Sequence, residues 1–132
     1  MNTTSNSNGP ADHVWLYDGT PEYVDLNVGS ASPVDGGFVL ALEFTNQAIR
    51  LAATRNPAKY VTAYRLSMRR YRLPDVARVL VAGPFLRYEA VKRVLAGLLA
   101  QHKDEESDAY RPPRGVDDVT TMIVEMREAA GV

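Results

Sequence analysis

The thirty residues LPDVARVLVAGPFLRYEAVKRVLAGLLAQH, 73–102, decide what kind of fold this chain makes. Leu73-Pro74 is a break, because a residue before proline is pushed out of helical geometry. From Pro74 the pattern reads as a short helix to Ala82, stopped by Gly83. Pro84 then opens the longest helix, reaching about His102, with Tyr88, Val91, Leu95, Leu98 and His102 at spacings of three, four, three and four. Read this way, the second half of the chain is mainly helical.

The flanks fit that reading. Upstream, Asn56-Pro57 sets a good N-cap residue before proline at the first helical position. The helix it opens runs to Arg72 and carries Val61, Tyr64, Met68 and Tyr71 on one stripe. Arg65, Arg69 and Arg72 form a second stripe, with Arg70 and Tyr71 beside it. Downstream, Lys103–Gly115 is a charged, proline-containing loop, longer than most connections. A last amphipathic helix carries Val116, Val119, Ile123 and Met126.

Toward the N-terminus the signals change to extended structure. His13–Tyr17 and Glu22–Val28 read as strands, since Val24, Leu26 and Val28 alternate with polar or aromatic residues, and Asp18-Gly19 with Pro21 supplies a turn between them. Phe38–Phe44 reads as a third strand buried on both faces, running into a helix from about Asn46 to Arg55 behind Thr45. One helix from Phe38 to Arg55 is the competing assignment. Residues 1–11 are small and polar, and are expected to form a flexible arm. The expected fold class is therefore α+β: an N-terminal β-hairpin or small antiparallel sheet followed by a four-helix, mainly α C-terminal part, with residues 12–132 forming one domain.

Composition narrows the chemistry. The 132 residues are 45% hydrophobic and 23% charged, as in an ordinary globular protein. Cysteine is absent, which excludes disulfides, thiolate zinc sites, iron–sulfur clusters and a cysteine nucleophile. His13 and His102 are the only histidines, and neither has a second ligand at metal-binding spacing. No apolar run approaches the roughly 18 residues of a membrane span, and no signal-peptide pattern opens the chain. There is no phosphate loop and no nucleophile elbow. The expectation is a non-enzyme without metal, cofactor or small-molecule substrate, cytoplasmic or virion-associated.

Charge is the positive signal. The net −1 conceals a middle segment, residues 50–93, with eleven bases and two acids, flanked by acidic ends. Arginine outnumbers lysine twelve to three, favouring planar, bidentate contacts. Tyr64-Arg65, Arg69-Arg70-Tyr71-Arg72 and Arg87-Tyr88 interleave the two residue types. That mixture suits phosphates and bases, and equally suits protein interfaces. Clustered arginines repel one another and require counter-charge. An acidic surface on an adjacent subunit, such as Asp104 to Asp108, would supply it, or phosphates would.

The short helix, Gly83-Pro84 break and long helix resemble the helix-turn-helix of winged-helix DNA-binding proteins, with Lys103–Gly115 where a wing belongs. That resemblance implies Arg87, Lys92 and Arg93 on a recognition helix, while the loop's own acids would repel phosphate. The first functional expectation is a non-catalytic assembly subunit of a multi-chain complex, such as a phage capsid, connector or tail component that self-associates or binds other subunits. The alternative is a winged-helix-like nucleic-acid-binding regulator. Both use Arg65, Arg69, Arg70, Tyr71, Arg72, Arg87, Lys92 and Arg93.

Overall fold

A computed structural model of the chain describes residues 14–105 and 107–129. Its strands are β1 (Tyr17–Gly19), β2 (Gly37–Phe44), β3 (Ile49–Thr54) and β4 (Val76–Phe85), and its helices are α1 (Val24–Asn27), α2 (Pro57–Arg70), α3 (Tyr88–Leu99) and α4 (Val116–Ala129). The strands make one antiparallel sheet in the order β1-β4-β2-β3. Helices cover both sides. Leu40, Leu42, Val79 and Val81 face α1 and α2, where Val24 and Val61 are buried. Val39, Ala41, Ile49 and Leu80 face the other way, against Leu95 and Leu99 of α3 and Val119 and Ile123 of α4.

The class is α+β, but the arrangement corrects the expected one: the sheet occupies the middle of the chain and the helices are interspersed, with no C-terminal four-helix part. The decisive stretch is where the reading fails. Val76–Ala82 is a central strand rather than a helix, paired to β1 on one side and β2 on the other. A strand buried on both faces shows a continuous apolar run without alternation, and Val79-Leu-Val-Ala82 is such a run, 0% exposed throughout. With that helix gone, the helix-turn-helix expected over residues 74–102 does not form, and the winged-helix likeness goes with it.

The same sheet absorbs two other segments. Asn46–Arg55 is a turn and β3 rather than a helix: Phe44 and Ala48 close the hairpin, and the Asn46 side chain accepts from the Ala48 N–H at 3.1 Å. Asp18-Gly19 is no hairpin turn but the end of β1, which pairs with Val79–Val81. Glu22–Val28, expected as a strand, is a 3-10 turn and the short α1. There Val24 and Val28, four apart, are buried while Leu26 is 77% exposed, the helical pattern overriding the alternating one. His13 and the arm at 1–11 lie outside the described residues.

The long helix expected from Pro84 to His102 begins only at Tyr88, because Pro84 and Phe85 still belong to β4, and ends at Leu99. Helix α2 ends at Arg70 rather than Arg72, and of the strand expected over His13–Tyr17 only Tyr17 is extended among the described residues, in β1. The start of α2 forms as read. Asn56 caps α2 by accepting from the Lys59 N–H at 3.1 Å, with Pro57 in the first turn. Gly36 joins the start of β2 to the end of β4; its φ is +87°, and a Cβ there would meet the Phe85 carbonyl and Leu86 Cα. Only glycine fits both demands. Lys103–Gly115 is no wing. Tyr110 exchanges both backbone hydrogen bonds with Ile49, at 2.9 and 2.7 Å, so the loop lies along the outer edge of β3.

Candidate functional site

Strand alternation places the central residue of the site. On β3, Ile49 and Leu51 enter the α3 side of the core, so Ala48, Arg50 and Ala52 face α2. Tyr60, Tyr64 and Met68 repeat every four residues along the matching face of α2. Arg50 consequently meets aromatic rings: its guanidinium carbon lies 5.3 Å from the Tyr64 centroid. Tyr64 in turn stacks near Tyr60 and Phe44, each 6.0 Å away, with interplanar angles of 8° and 27°. A guanidinium over a tyrosine face is held by the ring quadrupole.

The loop after α3 supplies the third wall. Arg111 pairs with Asp104 at 3.3 Å and donates to the Asn46 carbonyl at 3.0 Å, tying the loop to the β2–β3 turn. Between hairpin, α2 and loop lies a groove of about 530 Å³, floored by Phe44, Ala48 and Met68 and rimmed by Asn46, Asp108 and Arg111.

Arg50 is only loosely tied within it. Its Nη1 stands 3.6 Å from Asp108, a carboxylate 78% exposed. Its Nε is buried and has no hydrogen-bond partner among the described residues. Burial opposes the Arg50 charge, but the Tyr60 hydroxyl, Tyr64 and Asp108 more than offset it, so the guanidinium titrates above its ordinary value. Burial pushes the Tyr64 phenol up.

The residues singled out from the sequence divide. Arg65 is spoken for: it pairs with Glu22 at 3.1 Å and with Asp75 at 3.3 Å, and the Asp75 hydrogen bonds raise its pKa. Two of the acids offered as an intersubunit counter-charge are engaged at home, Asp104 with Arg111 and Asp108 with Arg50. Arg69, Arg70, Tyr71 and Arg72 are exposed around the end of α2, and the three arginines form no ion pair among the described residues. Arg55 and Lys59, at the other end of α2, are likewise exposed and unpaired there. Arg87 and Arg93 are exposed too, but they lie just before and on α3, across the sheet from α2. Lys92, also on α3, turns toward the β3 edge, where it lines a smaller hollow of about 220 Å³ with Arg50 and Lys103.

The eight residues therefore form no single footprint. No family model, no curated protein and no solved structure matches this chain. Among the described residues, no group of three or more His, Asp or Glu side chains could hold a metal, and no helix is long and apolar enough to cross a membrane.

Asn46, Arg50, Tyr60 and Arg111 are site residues that the sequence reading passed over. The signal for Arg50 was present: in Ile49-Arg-Leu-Ala-Ala-Thr54 a lone arginine alternates between apolar residues, as on a half-buried strand. Reading that segment as helix hid it.

Proposed function

We propose that the protein binds nucleic acid, non-catalytically, through the α2 face. One observation carries this reading. Of the eleven bases in residues 50–93, three (Arg50, Arg65 and Arg78) are paired with carboxylates of the same fold, whereas Arg55 and Lys59 at one end of α2 and Arg69, Arg70 and Arg72 at the other are left exposed without an ion pair among the described residues. Repulsion among the neighbouring Arg69, Arg70 and Arg72 is relieved when an outside polyanion supplies counter-charge. Arginine's planar fork suits phosphate oxygens, and the tyrosines beside it suit bases.

The test is salt-dependent binding by the full chain. Changing Arg69, Arg70 and Arg72 together to Ala should weaken binding and reduce the log–log salt slope by roughly one unit per lost phosphate contact. Changing Arg87 and Arg93, across the sheet, should alter neither. Absence of binding at low salt, or indifference to the triple change, removes the reading.

A second reading, an assembly subunit such as a virion component, is favoured by one separate observation. On the sheet's other side Leu86, Val94 and Leu98 are 77%, 50% and 44% exposed, apolar residues of the kind buried between subunits. Sedimentation showing a defined oligomer that Val94→Asp and Leu98→Asp dissolve would support it.

A further inference from the structure

We infer that the groove beside Arg50 receives one unstacked base of a single-stranded nucleic acid, laid against the outer face of the Arg50 guanidinium while the backbone crosses Arg69, Arg70 and Arg72. This rests on the nucleic-acid reading and adds to it which form of nucleic acid is bound, and where a base goes.

Four features lead there. The groove's volume, about 530 Å³, falls within the roughly 300–1,000 Å³ typical of small-ligand sites. Its stack is open at one end: Phe44 and Tyr60 lie against Tyr64, and Arg50 lies over the Tyr64 ring with its side chain still 30% exposed. A base on the guanidinium continues that stack, since flat guanidinium groups take unstacked bases as aromatic rings do.

The rim then sorts base from phosphate. Asp104 and Asp108 line the groove and are matched there by Arg111 and Arg50, so the groove offers a phosphate no net positive charge, while the carboxylates accept from the exocyclic amino groups of a base edge. The Asn46 amide and the Arg111 guanidinium add donors on the same rim. The phosphates are thereby directed outside, and the cations are there: the groove wall at Met68, Leu73 and Pro74 is interrupted in the chain only by Arg69, Arg70, Tyr71 and Arg72. Entry also selects the strand type. In a duplex the base edges are paired and the faces stacked, so a base enters such a groove only from a single strand or after being flipped out.

The experiment compares three probes by fluorescence anisotropy at low salt: a single-stranded DNA oligonucleotide, the same length of abasic sugar-phosphate strand, and the duplex. Wild-type protein should bind the base-bearing strand at least tenfold more tightly than the abasic one, and more tightly than the duplex. Arg50→Lys, which keeps the charge and removes the flat face, should bring the base-to-abasic ratio within twofold of unity. Tyr64→Leu should do the same, with circular dichroism melting to verify its fold; if it does not fold, Arg50→Lys decides. The Arg69, Arg70 and Arg72 triple change should weaken both strands and leave their ratio intact. Equal affinity for abasic and base-bearing strands, a preference for duplex, or a ratio that survives Arg50→Lys overturns the inference while leaving backbone binding standing. Failure to bind any probe at low salt overturns both.

Discussion

Asp75 does two jobs with one carboxylate. It receives two hydrogen bonds at 3.3 Å from the Arg65 guanidinium, and it accepts the Val76 N–H at 2.7 Å. The Arg65 hydrogen bonds hold its pKa below the ordinary carboxylate value, with the Val76 N–H assisting. A lowered folded-state pKa contributes stability that is present above the unfolded value, roughly pH 4, and is lost as pH falls through the folded value. The Asp75 side chain is 38% exposed, so water screens the pair. Asp75→Asn should therefore cost only about 1 kcal/mol at pH 7. In urea titrations the gap between wild type and variant should narrow from pH 4 downward; a gap that is unchanged at pH 2 would show that the charge contributes nothing.

On the scale of elements, the long helix shows what periodicity resolves and what it leaves open. Leu98 and Leu99 are neighbours, and either continues a regular stripe from Leu95. The sheet chooses Leu99, which is 0% exposed, and leaves Leu98 at 44%. Leu95, also 0% exposed, should cost on the order of 2–5 kcal/mol when changed to Ala, whereas Leu98→Ala should cost under about 0.5 kcal/mol, both read from chemical denaturation. A large Leu98 effect in the isolated chain would mean the two leucines are misassigned. The start of α2 was legible because Asn56 and Pro57 act locally, and so was the stripe of α4, whose Val119 and Ile123 need only one apolar surface. β2 was legible from its bulk. The strand of Val79 to Ala82 was not, because a short apolar run looks alike in a buried helix and in a central strand, and its partners Tyr17–Gly19 and Gly37–Phe44 lie far off in sequence. The candidate site was lost with β3: the arginines of α2 could be read as a cluster, but Arg50 joins them only once the hairpin exists.

For the molecule as a whole, the sheet is a partition with one core on each face, and it divides the charge as well: the exposed α2 cations lie on one side, and Arg87 and Arg93 on the other. The two cores share every central strand, so they should melt together. Trp15 gives a local probe of the α4 side, since its indole N–H donates to the Thr120 hydroxyl at 2.8 Å. Its fluorescence and the far-ultraviolet circular dichroism should report coincident thermal transitions. An earlier fluorescence transition would mean that α4 and the N-terminal segment leave before the sheet does.

The loop along β3 carries a consequence for solubility. Antiparallel pairing aims the N–H and C=O of Ile49, Leu51 and Ala53 alike away from β2, toward the outer edge of the sheet. Tyr110 occupies the groups of Ile49, so a foreign strand approaching this edge finds its first position taken and a charged segment, Asp104 with Arg111, across its path. Edges left bare are templates for pairing between molecules. Replacing residues 104–110 with a short glycine–serine link should thus make the protein precipitate on concentration at temperatures well below its melting point, followed by light scattering. The intact loop, acting as a stopper at the end of an otherwise extendable ribbon, keeps one molecule from growing into many.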